Sequence, residues 1–202
     1  MTKIKLCGMT RDEDILVCNR LKPDYVGFVF WSKSKRLVTK EKAKHLKDLL
    51  DKDIKSVGVF VDEDINYVKE LFNEGIIDVI QLHGSEDEAY ISNLKNSLKS
   101  PVIIKSFKAD TEENINLSLK SSAGYIIYDP GKGDGMLFNW DKIKNVSRDY
   151  FLAGGLDSGN VGEAVKLLHP YCVDVSSGIE SDGLKDAEKM TAFVESVRKA
   201  YI

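Results

Sequence analysis

A short run of apolar and β-branched residues recurs eight times along this 202-residue chain. The ends of successive runs are 22 to 30 residues apart, which leaves room for one strand, one helix and two loops. The runs cover residues 3–7, 25–30, 55–60, 78–82, 102–106, 125–128, 151–153 and 173–176. Strands that are apolar on both faces and alternate with helices form a parallel sheet covered by helices. Eight such units predict a closed (β/α)8 barrel, with residues 1–202 as a single domain.

The segments between the runs carry helix signals. Thr10 with Glu13, and Ser85 with Glu88, match the capping box, which predicts helix starts at these points. An open doubly wound sheet is the structural alternative, but it usually carries a glycine-rich GxGxxG turn after its first strand, and residues 7–10 read CGMT. At about 25 residues per unit some helices must be short, and the proline and glycines after Asp129 indicate a loop there.

Composition excludes several classes of protein. The formal net charge is −3 and no basic tract appears, so no nucleic-acid partner is expected. No apolar run approaches the roughly 18 residues of a membrane helix, and the strand pattern starting at Lys3 leaves no room for a signal peptide. Three cysteines without a CxxC pair argue against a disulfide framework or a zinc site, and a cytoplasmic location is expected.

The loops after the last two strands predict an anion site. Residues 153–157 read AGGLD and residues 175–179 read VSSGI. Glycines let backbone N–H groups approach an anion, and the loops after strands seven and eight are the usual phosphate site of a barrel. Gly154 and Gly155 alone could simply form a tight turn. With Ser177 and Gly178 in the adjacent loop, phosphate binding is the favoured interpretation.

Two acid–base candidates end strands at the expected barrel mouth. Cys7 ends the first run; its alternative is a buried structural thiol, which we accept for Cys18 and Cys172. A thiol can act as a base when a nearby cation or backbone dipoles stabilise the thiolate. Asp129 ends the sixth run, where apolar neighbours would favour a carboxyl group that keeps a proton to donate. Its alternative is a turn aspartate before Pro130.

Other polar residues near strand ends are weaker candidates. Arg36 follows the second strand and its guanidinium suits a carboxylate or phosphate, but a solvated loop charge is the alternative because lysines flank it. His83 follows the fourth strand and could line the site or simply end the strand. Asp174 lies in the eighth run, next to the predicted phosphate loop.

Taken together, these segments resemble the phosphoribosylanthranilate isomerase family, the barrel enzymes of tryptophan biosynthesis. The resemblance spans nearly the whole chain, and its order and spacing make it specific. The matching segments are residues 5–10 (KLCGMT), 27–30 (GFVF), 34–36 (SKR), 57–60 (VGVF), 81–84 (QLHG), Asp129, 153–156 (AGGL) and 173–180 (VDVSSGIE).

The resemblance implies an Amadori rearrangement of N-(5-phosphoribosyl)anthranilate to its 1-deoxyribulose product. In the family, the residue matching Asp129 protonates the ring oxygen and the residue matching Cys7 removes the C2′ proton of the Schiff base. Arg36 matches a substrate contact at the anthranilate end, and His83 and Asp174 match polar positions lining the site. The phosphate positions are Gly154, Gly155, Ser177 and Gly178. No metal or organic cofactor is implied; the expected partner is a phosphorylated sugar, with no membrane, and the expected assembly is a monomer or homodimer.

The sequence departs from the family pattern in the loop after the sixth strand. Residues 133–135 read GDG where the family often has GGTG, and residues 138–140 read FNW where it has Phe-Asp-Trp. Lys35 also replaces a proline that usually precedes the arginine. These changes leave the acid, the base and the arginine in place.

Two classes of alternative remain open. Another phosphate-binding barrel is possible, but a pentulose-phosphate epimerase needs metal ligands at strand ends, and only His83 is so placed. Indole-glycerol-phosphate synthase would need several lysines and glutamates on early strands; Lys5 and Lys105 exist, but the second strand carries no charge. The other class is a barrel that binds a phosphorylated metabolite without converting it, which a missing acid or base would favour.

Overall fold

Eight parallel strands close into a barrel in chain order, with the last strand bonded to the first. The computed structural model describes residues 1–129 and 140–201. The strands are β1 (Lys3–Cys7), β2 (Tyr25–Val29), β3 (Lys55–Phe60), β4 (Val79–Leu82), β5 (Val102–Phe107), β6 (Tyr125–Tyr128), β7 (Tyr150–Leu152) and β8 (Cys172–Val175). The predicted barrel is therefore confirmed, and every predicted strand end lies within one residue of the observed one.

Helices cover the outside of the barrel. They are α1 (Asp12–Leu21), α2 (Lys40–Leu49), α3 (Ile65–Asn73), α4 (Glu88–Ser97), α5 (Glu112–Lys120), α6 (Val161–Leu168) and α7 (Ala187–Lys199). In the described part of the β6–β7 crossover, the 3₁₀ turn Trp140–Ile143 stands where other units have a helix, in line with the short connection expected there. A two-stranded hairpin, β9 (Glu180–Ser181) and β10 (Leu184–Lys185), follows β8.

Both predicted capping boxes are wrong. Helix α4 is capped by Asp87, whose carboxylate accepts the Tyr90 N–H at 2.9 Å, while Ser85 donates to a neighbouring loop. Helix α1 starts after Arg11, whose N–H and guanidinium both bond to Asp14. In α1 the box is shifted by one residue, so Asp14 takes the place predicted for Glu13. In α4 the Asp87 carboxylate, a stronger acceptor of N–H groups than a hydroxyl, replaces Ser85.

The lower half of the barrel interior is filled by apolar and aromatic side chains. These residues are Tyr25, Val57, Val79, Ile104, Ile127, Phe151, Ala153 and Cys172. Toward the carboxyl ends of the strands the interior becomes polar, since Lys5, Gln81 and Asp174 are buried on β1, β4 and β8. Among residues 1–129 and 140–201, no helix is long and apolar enough to cross a membrane. The polar end of the barrel is the end at which the strands terminate, and it contains the predicted site.

Candidate active site

Cys7 is the last residue of β1, and its side chain is buried. It pairs with Gly27 of β2, and a Cβ atom on Gly27 would lie 2.5 Å from the Cys7 sulfur. The glycine therefore provides the space that the thiol occupies. Burial raises the pKa of the Cys7 thiol, and the positive charge of Lys5 opposes this increase.

Lys5 and Asp174 form an ion pair inside the barrel. The Lys5 Nζ donates to Asp174 Oδ2 at 2.8 Å, and Lys5 is completely buried. Burial alone would lower the pKa of Lys5, but the carboxylate of Asp174 more than offsets this, so the pKa is raised and Lys5 is an ammonium. The other oxygen, Asp174 Oδ1, is buried and has no hydrogen-bond partner within the described ranges. It is an acceptor that a ligand hydroxyl could use.

Asp129 and His83 lie side by side after β6 and β4. The His83 Nε2 is 3.6 Å from Asp129 Oδ2, and both side chains are about one-quarter exposed. The Gln81 amide lies 3.2 Å from His83 Nδ1; if it donates there, the ring proton is on Nε2, the nitrogen that faces Asp129. Burial lowers the pKa of His83, which favours the neutral ring. The pair therefore combines a carboxyl group with a neutral hydrogen-bond donor.

Arg36 is held by a carboxylate rather than being a solvated loop charge. Its Nε and one terminal nitrogen donate to the two Glu180 oxygens at 2.6 and 2.7 Å. Lys185 Nζ donates to Glu180 Oε1 at 2.6 Å and to the Ser176 carbonyl at 2.9 Å. A Cβ on Gly8 would lie 2.5 Å from Arg36 Cδ, so the arginine stem passes directly beside the residue after Cys7. The β9–β10 hairpin thus orients the guanidinium at the barrel mouth.

The loops after β7 and β8 are in direct contact. A Cβ on Gly178 would lie 2.0 Å from the Leu156 carbonyl oxygen, so only glycine fits this approach. Gly154 and Gly155 have φ angles of 85° and 65°, a left-handed conformation that favours glycine. Across residues 1–129 and 140–201, no hydrogen bond is made by the N–H groups of four loop residues: Gly154, Gly155, Ser177 and Gly178. These donors are therefore available to an anion.

The structure brings the nine predicted site residues to the carboxyl ends of the strands, and it adds four that sequence reasoning missed. The additional residues are Lys5, Gln81, Glu180 and Lys185. A lysine and a glutamine inside otherwise apolar strands were signals that could have identified the first two. The atypical segment at residues 133–135 lies outside the described residues. Within the described ranges, no group of three His, Cys, Asp or Glu side chains could hold a metal ion.

The remaining cysteines are buried, and the charges near them do not offset the effect of burial on their pKa values. Burial raises the pKa of Cys18 to about 12 and that of Cys172 well above its usual value. Both thiols therefore stay protonated at neutral pH, in keeping with the structural role predicted for them.

Comparison with known proteins identifies the family of this chain. Residues 4–196 match the family model described as N-(5′phosphoribosyl)anthranilate (PRA) isomerase. An N-(5′-phosphoribosyl)anthranilate isomerase of Clostridium kluyveri is 47% identical over 201 residues, which cover 98% of each chain.

Solved structures agree in fold over almost the whole chain. The crystal structure of phosphoribosyl anthranilate isomerase from Thermotoga maritima superposes with a TM-score of 0.90 at 31% identity, covering 98% of this chain and 100% of that one. A second structure of such an isomerase, in complex with reduced 1-(o-carboxyphenylamino)-1-deoxyribulose 5-phosphate, gives 0.88 at 30% identity over the same shares. The chain therefore belongs to the N-(5′-phosphoribosyl)anthranilate isomerase family.

Proposed function

We propose that this chain is a (β/α)8-barrel isomerase that converts N-(5-phosphoribosyl)anthranilate to 1-(2-carboxyphenylamino)-1-deoxyribulose 5-phosphate, a step of tryptophan biosynthesis. The observation that best supports this is the position of a thiol and a carboxyl group at the end of the barrel that also carries the glycine-rich β7 and β8 loops. Residues 1–202 would act as one catalytic domain. Proton transfers between the substrate and two side chains are sufficient chemistry for an aldose–ketose isomerisation.

Asp129 is the proposed general acid. It protonates the ring oxygen as the C1′–O bond breaks and the anilino nitrogen shares its lone pair to form a C1′=N iminium ion. His83, 3.6 Å from the carboxyl group, would orient it toward the ring oxygen. The neutral state of His83 suits this role, because a second cation would oppose formation of the iminium ion.

Cys7 is the proposed general base. Its thiolate takes the C2′ proton, and the C–H electron pair moves into the C1′–C2′ bond while the iminium nitrogen becomes neutral. The resulting enolamine then tautomerises to the ketone. Asp174 Oδ1, which lacks a partner among the described residues, would accept a hydrogen bond from a sugar hydroxyl.

Binding is proposed to use the two ends of the substrate separately. The backbone N–H groups of Gly154, Gly155, Ser177 and Gly178 would bind the phosphate. Arg36, oriented by Glu180, would contact the anthranilate carboxylate, since a guanidinium can serve more than one acceptor. The solved relative in complex with a reduced product supports this division, because that ligand carries both a phosphate and a carboxylate.

The test follows the loss of substrate fluorescence with freshly made phosphoribosylanthranilate. Cys7→Ser and Asp129→Asn are each expected to lower kcat by about 100- to 10,000-fold, the usual range for loss of general acid–base catalysis. Both variants should still bind the reduced product analogue. The matched control is Cys172→Ala, which removes a buried thiol outside the site and should retain turnover.

Full activity in Cys7→Ser or in Asp129→Asn would remove that residue from the mechanism. Binding of the analogue by the parent protein without any turnover would instead indicate a barrel that only binds the metabolite.

We also propose a cytoplasmic location, supported by three buried cysteines that are all free. The proposed assembly is a monomer or a homodimer, and light scattering would distinguish the two. A dimeric isomerase from Thermotoga maritima is known among the structural relatives.

A further inference from the structure

A fully buried lysine lies inside the barrel beneath the proposed base. Lys5 and Cys7 are alternate residues of β1, so their side chains leave the strand on the same face. Their Cα atoms are about 7 Å apart along the strand, a distance that the lysine side chain can span. Lys5 is 0% exposed, and a buried ammonium is stable only where opposite charge or hydrogen bonds compensate for the lost water.

Asp174 supplies that compensation. The ammonium donates to Asp174 Oδ2 at 2.8 Å, across the seam between β1 and β8 where the two residues are register partners. Cys7 leaves β1 on the same face as Lys5, and the positive charge of the ammonium opposes the rise that burial causes in the pKa of the thiol. The ammonium is therefore held by a carboxylate of β8 and belongs to the residue next to Cys7 on the same face of β1.

We propose that Lys5 is a positioning residue for Cys7, and that its ammonium stabilises the thiolate that takes the C2′ proton. The proposal rests on Cys7 being the base of the proposed reaction. Lys5 keeps its protons throughout: the thiolate becomes a thiol, the iminium ion becomes a neutral enolamine, and the ammonium is unchanged. Asp174 holds the ammonium in place from β8.

The other charged groups around Cys7 act from the mouth of the barrel. Lys185 on β10 and Arg36 in the loop after β2 are both close enough to interact with the thiol, and both are paired with Glu180. Burial raises the pKa of the thiol, and of the surrounding groups Lys5 opposes this most strongly, while the charge of Asp174 adds to the increase. Lys5 and Asp174 should therefore shift the titration of Cys7 in opposite directions.

The experiment is an ultraviolet titration of the thiolate in the free protein, with Cys7→Ser as the blank. Lys5→Met is expected to raise the pKa of Cys7 by about 1–3 units, the usual effect of losing an adjacent opposite charge. Asp174→Asn is expected to lower it. The matched control is Lys105→Met, which removes another buried lysine with its own carboxylate partner, Glu86 at 3.0 Å, and should leave the pKa of Cys7 unchanged.

Kinetics supply a second readout. The limb of the pH profile of kcat/KM that reports the Cys7 thiol should move with the titration, and Lys5→Arg, which keeps the charge, should restore much of the parent profile. Each unit by which the pKa rises costs about tenfold in the thiolate fraction below that pKa. Loss of Lys5 should therefore lower kcat/KM at neutral pH by at least about tenfold.

Lys5→Met leaves a buried carboxylate without its partner and could prevent folding. In that case the Lys5→Met/Asp174→Asn double variant, compared with Asp174→Asn alone, isolates the effect of the lysine. An unchanged pKa of Cys7 in the folded lysine variant, or shifts in the same direction in both single variants, would overturn the proposal. The titration uses no substrate, so a failure of Cys7 as base would be seen separately, as activity in Cys7→Ser.

Discussion

Gly27 provides the space for the Cys7 sulfur, and Gly27→Ala should reduce catalysis more than stability. The added Cβ would lie 2.5 Å from Sγ and 3.1 Å from the Cys7 Cα, in the middle of the β1–β2 pairing. Carbon atoms pack at about 3.5 Å or more, so the thiol must move by about 1 Å. A misplacement of about 1 Å can cost about 100-fold in rate, which equals about 2.7 kcal/mol of activation free energy. Overpacking should lower the free energy of unfolding by about 1–3 kcal/mol.

Gly58→Ala separates these two effects. Its Cβ would lie 2.8 Å from Ile77 and Phe60, in the layer between barrel and helices, so it should cost similar stability without moving the thiol. Steady-state turnover by substrate fluorescence and urea unfolding would be measured for both variants. The reasoning fails if Gly27→Ala retains kcat, or if Gly58→Ala loses as much of it as Gly27→Ala does.

Three further predictions concern other parts of the molecule. Gly178→Ala forces the β7 and β8 loops apart, because its Cβ would lie 2.0 Å from the Leu156 carbonyl oxygen, and calorimetry should show at least about tenfold weaker binding of the reduced product analogue. Glu180→Gln removes the charge that orients Arg36 and should raise KM about tenfold with a smaller change in kcat; an unchanged KM would count against that role. Burial would raise the pKa of Asp78, but a neighbouring lysine and hydrogen-bond donors on β3 bring that pKa below its usual value. The contribution of Asp78 to the free energy of unfolding is therefore present above about pH 3.9, and it is lost as the pH falls through the lower pKa of the folded protein. Asp78→Asn should therefore lower the free energy of unfolding by about 2 kcal/mol at pH 7, and urea titrations should show this difference shrinking as the pH falls below about 3.9.

The strand pattern predicted the barrel well because a buried parallel strand is apolar on both faces, and residues such as Val57 and Ile104 have few other places to lie. Helix starts were predicted less well. Ser85 and Thr10 match a capping motif, but the motif does not reveal that α4 is capped two residues later, at Asp87, and α1 one residue later, at Arg11. Local patterns identify the candidates for a cap, and the three-dimensional arrangement decides between them.

The site was predictable where it depends on strand ends. Once the strands are assigned, Cys7 and Asp129 must lie at the same end of the barrel. The partners were not predictable in this way, because Glu180 meets Arg36 across 144 residues through a short hairpin that no periodicity signals. Lys5 was visible as a charge inside an apolar strand, but its significance depends on Asp174, which only the closure of the barrel brings into contact with it.

The seam between β1 and β8 also has a consequence for how the chain folds. The bond between Lys5 and Asp174 joins residues 169 apart, so it can form only when nearly the whole chain has emerged from the ribosome. Until then β1 is an open edge whose lysine has no carboxylate to pair with, and pairing over such sequence distances is intrinsically slow. The ammonium beside Cys7 is therefore fixed by its carboxylate partner only at the step that seals the barrel, which ties chemical competence to completion of the fold.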